Sequence, residues 1–434
     1  NVVVGDEAGT AITTGDQNTA LGNDALKSVD TGSNNTGIGA AAGDALTVGT
    51  LNTALGVASL TADTKGSKST AIGTFTLNTQ NFTSATDTHN TAVGYGAGEL
   101  VSTGKLNTLI GSLAGDALNT ANSNVAVGYS ALSTDTKGDN SVAIGENALL
   151  TQNFTSSTDS YNTAVGSNAG RAVTTGVENT ILGGGAGDAL TDADFNVVLG
   201  AFALTTDTLG NKSTAIGAAA LNKQNFTTAT DSFNTAVGFS AGKEVTTGTN
   251  NTIIGGLAGD ALTGGGFSGT TRQAGADFNV AVGGQALSTD TLGSRSVAIG
   301  QHALQTQNFT SATNVYNVAV GYDAGVSVTT GTLNTLIGSL SGDAFNTGQE
   351  NTAIGYQALT ADTKGKFSVA VGNNALATQN FTSATSAFNT AVGYDAGLHI
   401  TTGVQNTFVG ALAGDGTNDG TNNVAVGFEA LSAN

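Results

Sequence analysis

The 434-residue chain contains 63 Gly and no Pro, Cys, Met or Trp, and its 13 Lys and Arg against 32 Asp and Glu give a net charge of −19. The missing Cys excludes a disulfide scaffold, a thiol nucleophile and Cys-ligated zinc or iron–sulfur sites, and no apolar run reaches the roughly 18 residues of a membrane-spanning helix. Sparse, scattered cations speak against a nucleic-acid partner, Gly off a three-residue period without Pro excludes collagen, and 39% hydrophobic residues argue against disorder.

Read from the start, one pentapeptide recurs: NVVVG (1–5), NTALG (18–22), NTGIG (35–39), NTAVG (90–94), NTLIG (107–111), NVAVG (124–128) and SVAIG (141–145). There are 24 copies, closing at glycines from Gly5 to Gly427; 17 of the 23 gaps are 17 residues long, five are 21 and one is 28. The long gaps end at Gly94, Gly166, Gly238, Gly321 and Gly393 and set a second period of 72 residues. Two-level periodicity of this kind marks a solenoid, and no stretch of the 434 residues is left over for a separate globular domain.

The pentapeptide grammar points to strands. Position one is Asn or Ser, position two Thr or Val, position three usually Ala, position four Val, Ile or Leu. β-branched residues at two and four share one side of a strand, with a small residue between them. No 3.6-residue apolar period is sustained. The expected fold is therefore all-β, a parallel β-solenoid or β-roll. It would have about 24 coils of 17 residues, each a flattened rung of roughly 55 Å perimeter. Pro is missing because nearly every rung must donate hydrogen bonds to its neighbour. Asn at one fixed position predicts stacked amide ladders.

SVAIG (141–145 and 296–300) followed by xxAL resembles the head repeats of trimeric autotransporter adhesins, and NTAIGYQAL (351–359) resembles bacteriophage tail-fibre repeats. The resemblance covers nearly the whole chain. It implies a left-handed β-roll packed or intertwined as a homotrimer. The 17-residue coil is longer than the typical adhesin coil, and the chain lacks the neck, stalk and anchor of adhesins and the terminal chaperone domain common on phage fibres.

In chain order, the extra residues of the long coils fall in TQNFTSATD (79–87), TQNFTSSTD (151–159), KQNFTTATD (223–231), TQNFTSATN (306–314) and TQNFTSATS (378–386). Phe82, Phe154, Phe226, Phe309 and Phe381 form a row there. They are candidate surface contacts, unless each ring folds back over its own rung. The same segments carry N-x-T sequons at Asn81, Asn153, Asn225, Asn308 and Asn380. Position three is bulky at Leu109, Ile181, Ile253, Leu336 and Phe408, once per 72-residue period. These five are candidates for packing between chains, with local core filling as the alternative. An 11-residue insertion within 264–275 predicts a lateral loop carrying Phe267 and Arg272, two further candidate contacts. Asp63, Asp135, Asp207, Asp290 and Asp362 form one column and Asp44, Asp116, Asp188, Asp260, Asp343 and Asp415 another. Both are expected to cap Gly turns.

His89, His302 and His399 are the only histidines and fit neither a zinc spacing nor a triad, so no catalytic, metal or cofactor site is expected. The function expected is non-enzymatic: an extracellular structural or attachment fibre, partnered by itself as a homotrimer and by a cell-surface receptor or glycan, without membrane insertion. The alternative is a self-assembling filament or matrix subunit stacking end to end, since the chain opens at NVVVG and stops at GFEALSAN inside rungs, with flanking domains as the other explanation. Ice binding through a flat Thr row is a minor third reading, opposed by Val at position two in nine of 24 rungs.

Overall fold

A computed structural model describes residues 1–432 apart from 265–266, 269–270 and 273–274, with backbone only at 267–268 and 271–272. Among the described residues there is no helix, and each of the 24 pentapeptides forms a three-residue strand at positions two to four. The fold is a parallel β-solenoid. The chain divides into two compact units, residues 1–211 with 227–229 and residues 212–226 with 230–434.

Each unit carries twelve pentapeptide strands. In the first, strand follows strand in register from Val2–Val4 onward: Val2 pairs with Thr19, Thr19 with Thr36 and Thr91 with Thr108. In the second, Thr235 pairs with Thr252 and Thr390 with Thr407 in the same way. The 28-residue gap keeps this register, with Thr252 opposite Val280. The insertion leaves the coil as a small antiparallel pair, Phe267–Ser268 with Thr271–Arg272. Phe267 and Arg272 are thus placed by backbone alone, and their side chains lie outside the described residues.

The closing Gly of each pentapeptide is a steric requirement. Gly94 sits at φ +135, and a Cβ there would stand 2.5 Å from the carbonyl oxygen of Gly111 in the next rung. Only Gly combines that backbone with so close an approach.

The interior is filled by two kinds of residue. Apart from the exposed Val3 of the first rung, position three points inward and is buried, as at Ala20, Ala92 and Ala126. The second filler is a Leu four residues after the closing Gly, as at Leu26, Leu60 and Leu77, all fully buried. These leucines adopt φ of 46 to 54, a conformation costing about 1–2 kcal/mol for a non-Gly residue that burial of the side chain offsets.

Where two successive coils carry Gly in place of that Leu, position three between them grows. Leu109 is fully buried and lies between Gly98 and Gly115: a Cβ on either would come within 2.7 Å of a Leu109 methyl. Ile181 and Ile253 fill the same space beside Gly170 and Gly242, and Leu336 does so beside Gly325 and Gly342. Phe408, also fully buried, stands beside Gly397. The expected inter-chain role of Leu109, Ile181, Ile253, Leu336 and Phe408 is corrected here. All five are 0% exposed and spend their bulk inside their own coil.

Asn at position one forms the expected ladder, through the backbone in rung after rung and amide to amide at some rungs, as from Asn179 Nδ2 to Asn162 Oδ1 at 3.3 Å and from Asn196 Nδ2 to Asn179 Oδ1 at 3.2 Å. Asn18 Nδ2 donates to Gly32 O at 2.8 Å, while its Oδ1 accepts from the backbone N–H of Asn35 at 2.9 Å. Asn35 passes the pattern to Asn52 at 3.0 Å, and Asn52 to Ser69 at 2.9 Å.

Candidate interaction face

Where Ser replaces Asn, the long coil repairs the ladder. Gln80 turns inward, donating from Nε2 to Ser69 Oγ (2.8 Å) and to Asp63 Oδ2 (2.6 Å), and accepting on Oε1 from Asn90 Nδ2 (2.8 Å). Asp63 Oδ1 accepts from the N–H of Gly66 (2.9 Å) and of Phe82 (3.2 Å). The arrangement repeats around Asp135 and Gln152, Asp290 and Gln307, and Asp362 and Gln379. In the remaining member of that column, Gly210 N donates to Asp207 Oδ1 at 3.0 Å. The expected Gly-turn cap therefore holds, inside a larger buried network. Burial pushes the Asp290 and Asp362 carboxyls up, while the Gln donors and backbone N–H groups oppose it.

The same network overturns the expected row of aromatic contacts. The extension does not leave the solenoid: Thr86–Asp87 pairs in parallel with Gly66–Ser67 of the preceding coil. Phe82, Phe154, Phe226, Phe309 and Phe381 are consequently buried, between 0 and 8% exposed. Phe154 closes over Gly138, where a Cβ would be 2.8 Å from its Cδ2. The second Asp column also accepts backbone N–H bonds, its own and the next residue's at Asp44 and Asp116, in keeping with the expected turn cap. Asp44, Asp116, Asp188 and Asp415 each keep one buried oxygen without a hydrogen-bond partner.

The exposed apolar surface is elsewhere, on the outward side of the pentapeptide strands. With position three inside, positions two and four face out. Position four is 37–46% exposed at Leu21, Leu55, Ile110 and Ile144 in the first unit and at Ile254, Ile299, Ile337 and Val409 in the second. Two rows of large exposed side chains border the strands in sequence. Before the Asn stand Leu51, Leu106, Tyr161 and Phe195, and in the second unit Phe233, Tyr316 and Phe388. After the Gly stand Tyr95 and Tyr129, then Phe239, Tyr322, Tyr356 and Tyr394. Exposed apolar side chains repeated in this way, though interrupted in the bordering rows by residues such as Lys68, Glu146 and Glu178, suit an interaction face. Sequence reasoning named the inward aromatics as contacts and passed over these outward ones. Their signal was a period-two pattern of large side chains running past both ends of the pentapeptide.

Exposed ion pairs such as Lys68–Asp87 (2.6 Å) and Lys212–Asp231 (2.5 Å) contribute little. Arg295 lies over the rings of Phe278 (4.9 Å) and Tyr316 (5.9 Å). Among the described residues no group of three His, Cys, Asp or Glu could hold a metal ion. Among the described residues no helix is long and apolar enough to cross a membrane. No protein-family model and no curated protein matches the chain.

Proposed function

We propose that the chain is part of a non-enzymatic, extracellular structural or attachment fibre of the tail-fibre or adhesin kind, with three copies packed through their outward pentapeptide faces. One observation carries this reading. Position four presents Val, Ile or Leu on the outside of rung after rung, a row that burial in an oligomer would remove from water. Finishing the burial of each such side chain is worth roughly 1 kcal/mol, repeated along twelve strands per unit. A thin coil with Ala as its main filler buries little apolar area per chain, so packing between chains supplies what the interior lacks. A receptor or glycan is the further partner of such a fibre.

The test is a charge placed in the row. Ile110→Asp with Ile144→Asp leaves the inward positions untouched. The expected result is a lower solution mass with an unchanged β-type circular dichroism spectrum. An unchanged mass overturns the reading.

One run of outward residues favours the ice-binding alternative locally. Position two is Thr in six successive rungs from Thr19 to Thr108, on strands whose second position is partly exposed. Thermal hysteresis in the Ile110→Asp, Ile144→Asp chain would support it, and normal freezing would remove it.

A further inference from the structure

The first unit has an open groove of about 340 Å³ where the row after the closing Gly loses its bulk. That row varies along the unit, with Tyr at Tyr95 and Tyr129 and small residues at Ala40 and Ser112, and at Ser167, Gly184 and Ala201 three successive rungs carry small residues that line the groove. Phe202, 62% exposed, forms one wall. Its ring lies beside Gly185, where a Cβ would meet Cδ1 and Cε1 at 3.1 Å, so the absence of a side chain at 185 leaves room for the ring. Arg171 and Asp188 supply the polar walls. Among the described residues no ion pair engages Arg171, although this chain has few cations. Burial pushes the Asp188 carboxyl up, while its own backbone N–H and the Arg171 charge oppose the rise, and one of its oxygens is buried without a hydrogen-bond partner. That last feature recurs at Asp44, Asp116 and Asp415, so the carboxylate alone marks nothing; the opened groove with its aromatic wall is what sets this place apart.

From this geometry we propose that the groove is a binding site for a pyranose sugar. An aromatic platform suits the flat C–H face of the ring. An acceptor-only carboxylate and a donor-only guanidinium together suit a rim of hydroxyls, each able to donate and accept. A purely anionic ligand would be repelled by Asp188, and a purely apolar one would leave both charges unsatisfied. The cavity lies at the small end of ordinary ligand pockets, and the site is shallow, so single sugars bind in the millimolar range and repetition along a fibre raises the avidity. The inference deepens the attachment reading by naming a ligand class, but it stands on residues of one chain and needs no oligomer.

The test is saturation-transfer NMR on the full chain with methyl α-D-glucopyranoside, methyl α-D-mannopyranoside, methyl β-D-galactopyranoside and N-acetylglucosamine. Gly184→Tyr is the blocking variant. A Cβ at Gly184 meets nothing within 4 Å, and Tyr occupies the equivalent place at Tyr95 and Tyr129, so the coil accommodates it. Phe202→Ala removes the platform independently. The expected result is saturation transfer to at least one sugar, lost in both variants while the circular dichroism spectrum is unchanged. Absence of transfer to all four sugars, or transfer undiminished in both variants, overturns the proposal. Solution mass separates the two ideas: a monomer that binds sugar defeats the trimer and leaves this site standing.

Discussion

Leu109→Ala tests whether the bulky position-three residues belong to the core of their own chain. Leu109 is fully buried between Gly98 and Gly115. Losing three carbons removes about 2.4 kcal/mol of transfer free energy at about 0.8 per methylene. The flanking glycines have no side chains to move into the void, so a cavity term brings the cost to about 3–4 kcal/mol, within the range for buried Leu→Ala. The second half of the test is Gly98→Leu in that background. Leu60, Leu77 and Leu132 occupy the same coil position at φ 54, 46 and 53, so the fold accepts Leu there at a strain of about 1–2 kcal/mol. Refilling the void should recover a net ~1 kcal/mol or more, whereas Gly98→Leu alone overpacks against Leu109 and destabilises by about 1–3 kcal/mol. The assay is native-state hydrogen exchange across residues 91–127, which reads local opening where a repeat protein does not unfold in one step. If Leu109→Ala leaves local protection intact but lowers the solution mass, the residue acts between chains and the core-filling argument fails. Additivity of Gly98→Leu and Leu109→Ala would refute the volume exchange.

Three further outcomes are expected. Gln80→Leu leaves Asp63 Oδ2 without its partner, whereas Ser69 Oγ keeps Thr88 Oγ1 and Asn90 Nδ2 keeps Gly104 O; at about 1–3 kcal/mol for an unmet buried group, exchange protection around residues 63–90 should fall by about that amount, and protection equal to wild type would count against the network. Gly128→Ala places a Cβ 2.5 Å from Gly145 O at φ +139; strain alone costs about 1–3 kcal/mol, so denaturant unfolding should begin at clearly lower concentration, and an unshifted transition would contradict the rung geometry. Burial pushes the Asp116 carboxyl up to about 6, with its own backbone N–H opposing and Glu99 adding to the rise. A carboxyl raised on folding binds more protons in the native state, so its contribution is present below about pH 4 and is lost as pH rises to about 6. Asp116→Asn should therefore flatten the loss of stability between pH 4 and 7, and an identical slope would refute the assignment.

The coils, their register and the inward Asn ladder were readable because each is a strict period in the sequence. The cap at Asp63 was readable because Asp three residues before Gly has a local explanation. Phe82 was misplaced because an aromatic in an extra-length segment looks like a lateral loop when coils are read singly. The corrective signal lies between coils: every long coil pairs Ser at the strand start with Gln two residues before Phe, as in Ser69, Gln80 and Phe82. A buried Gln that replaces a missing Asn requires the whole extension to turn inward. Leu109 has a matching signature, since Gly98 and Gly115 both lack the Leu that fills other coils. The groove at Phe202 was not legible, because it depends on small residues aligning across three rungs.

The central claim is that the outward aliphatic face is covered by copies of the same chain, and sedimentation equilibrium tests it most directly. The expected result is one species at three times the chain mass of 42.5 kDa, unchanged on dilution into the low micromolar range. A monodisperse species of one chain mass would contradict it, and concentration-dependent growth into long filaments would replace the trimer with end-to-end assembly.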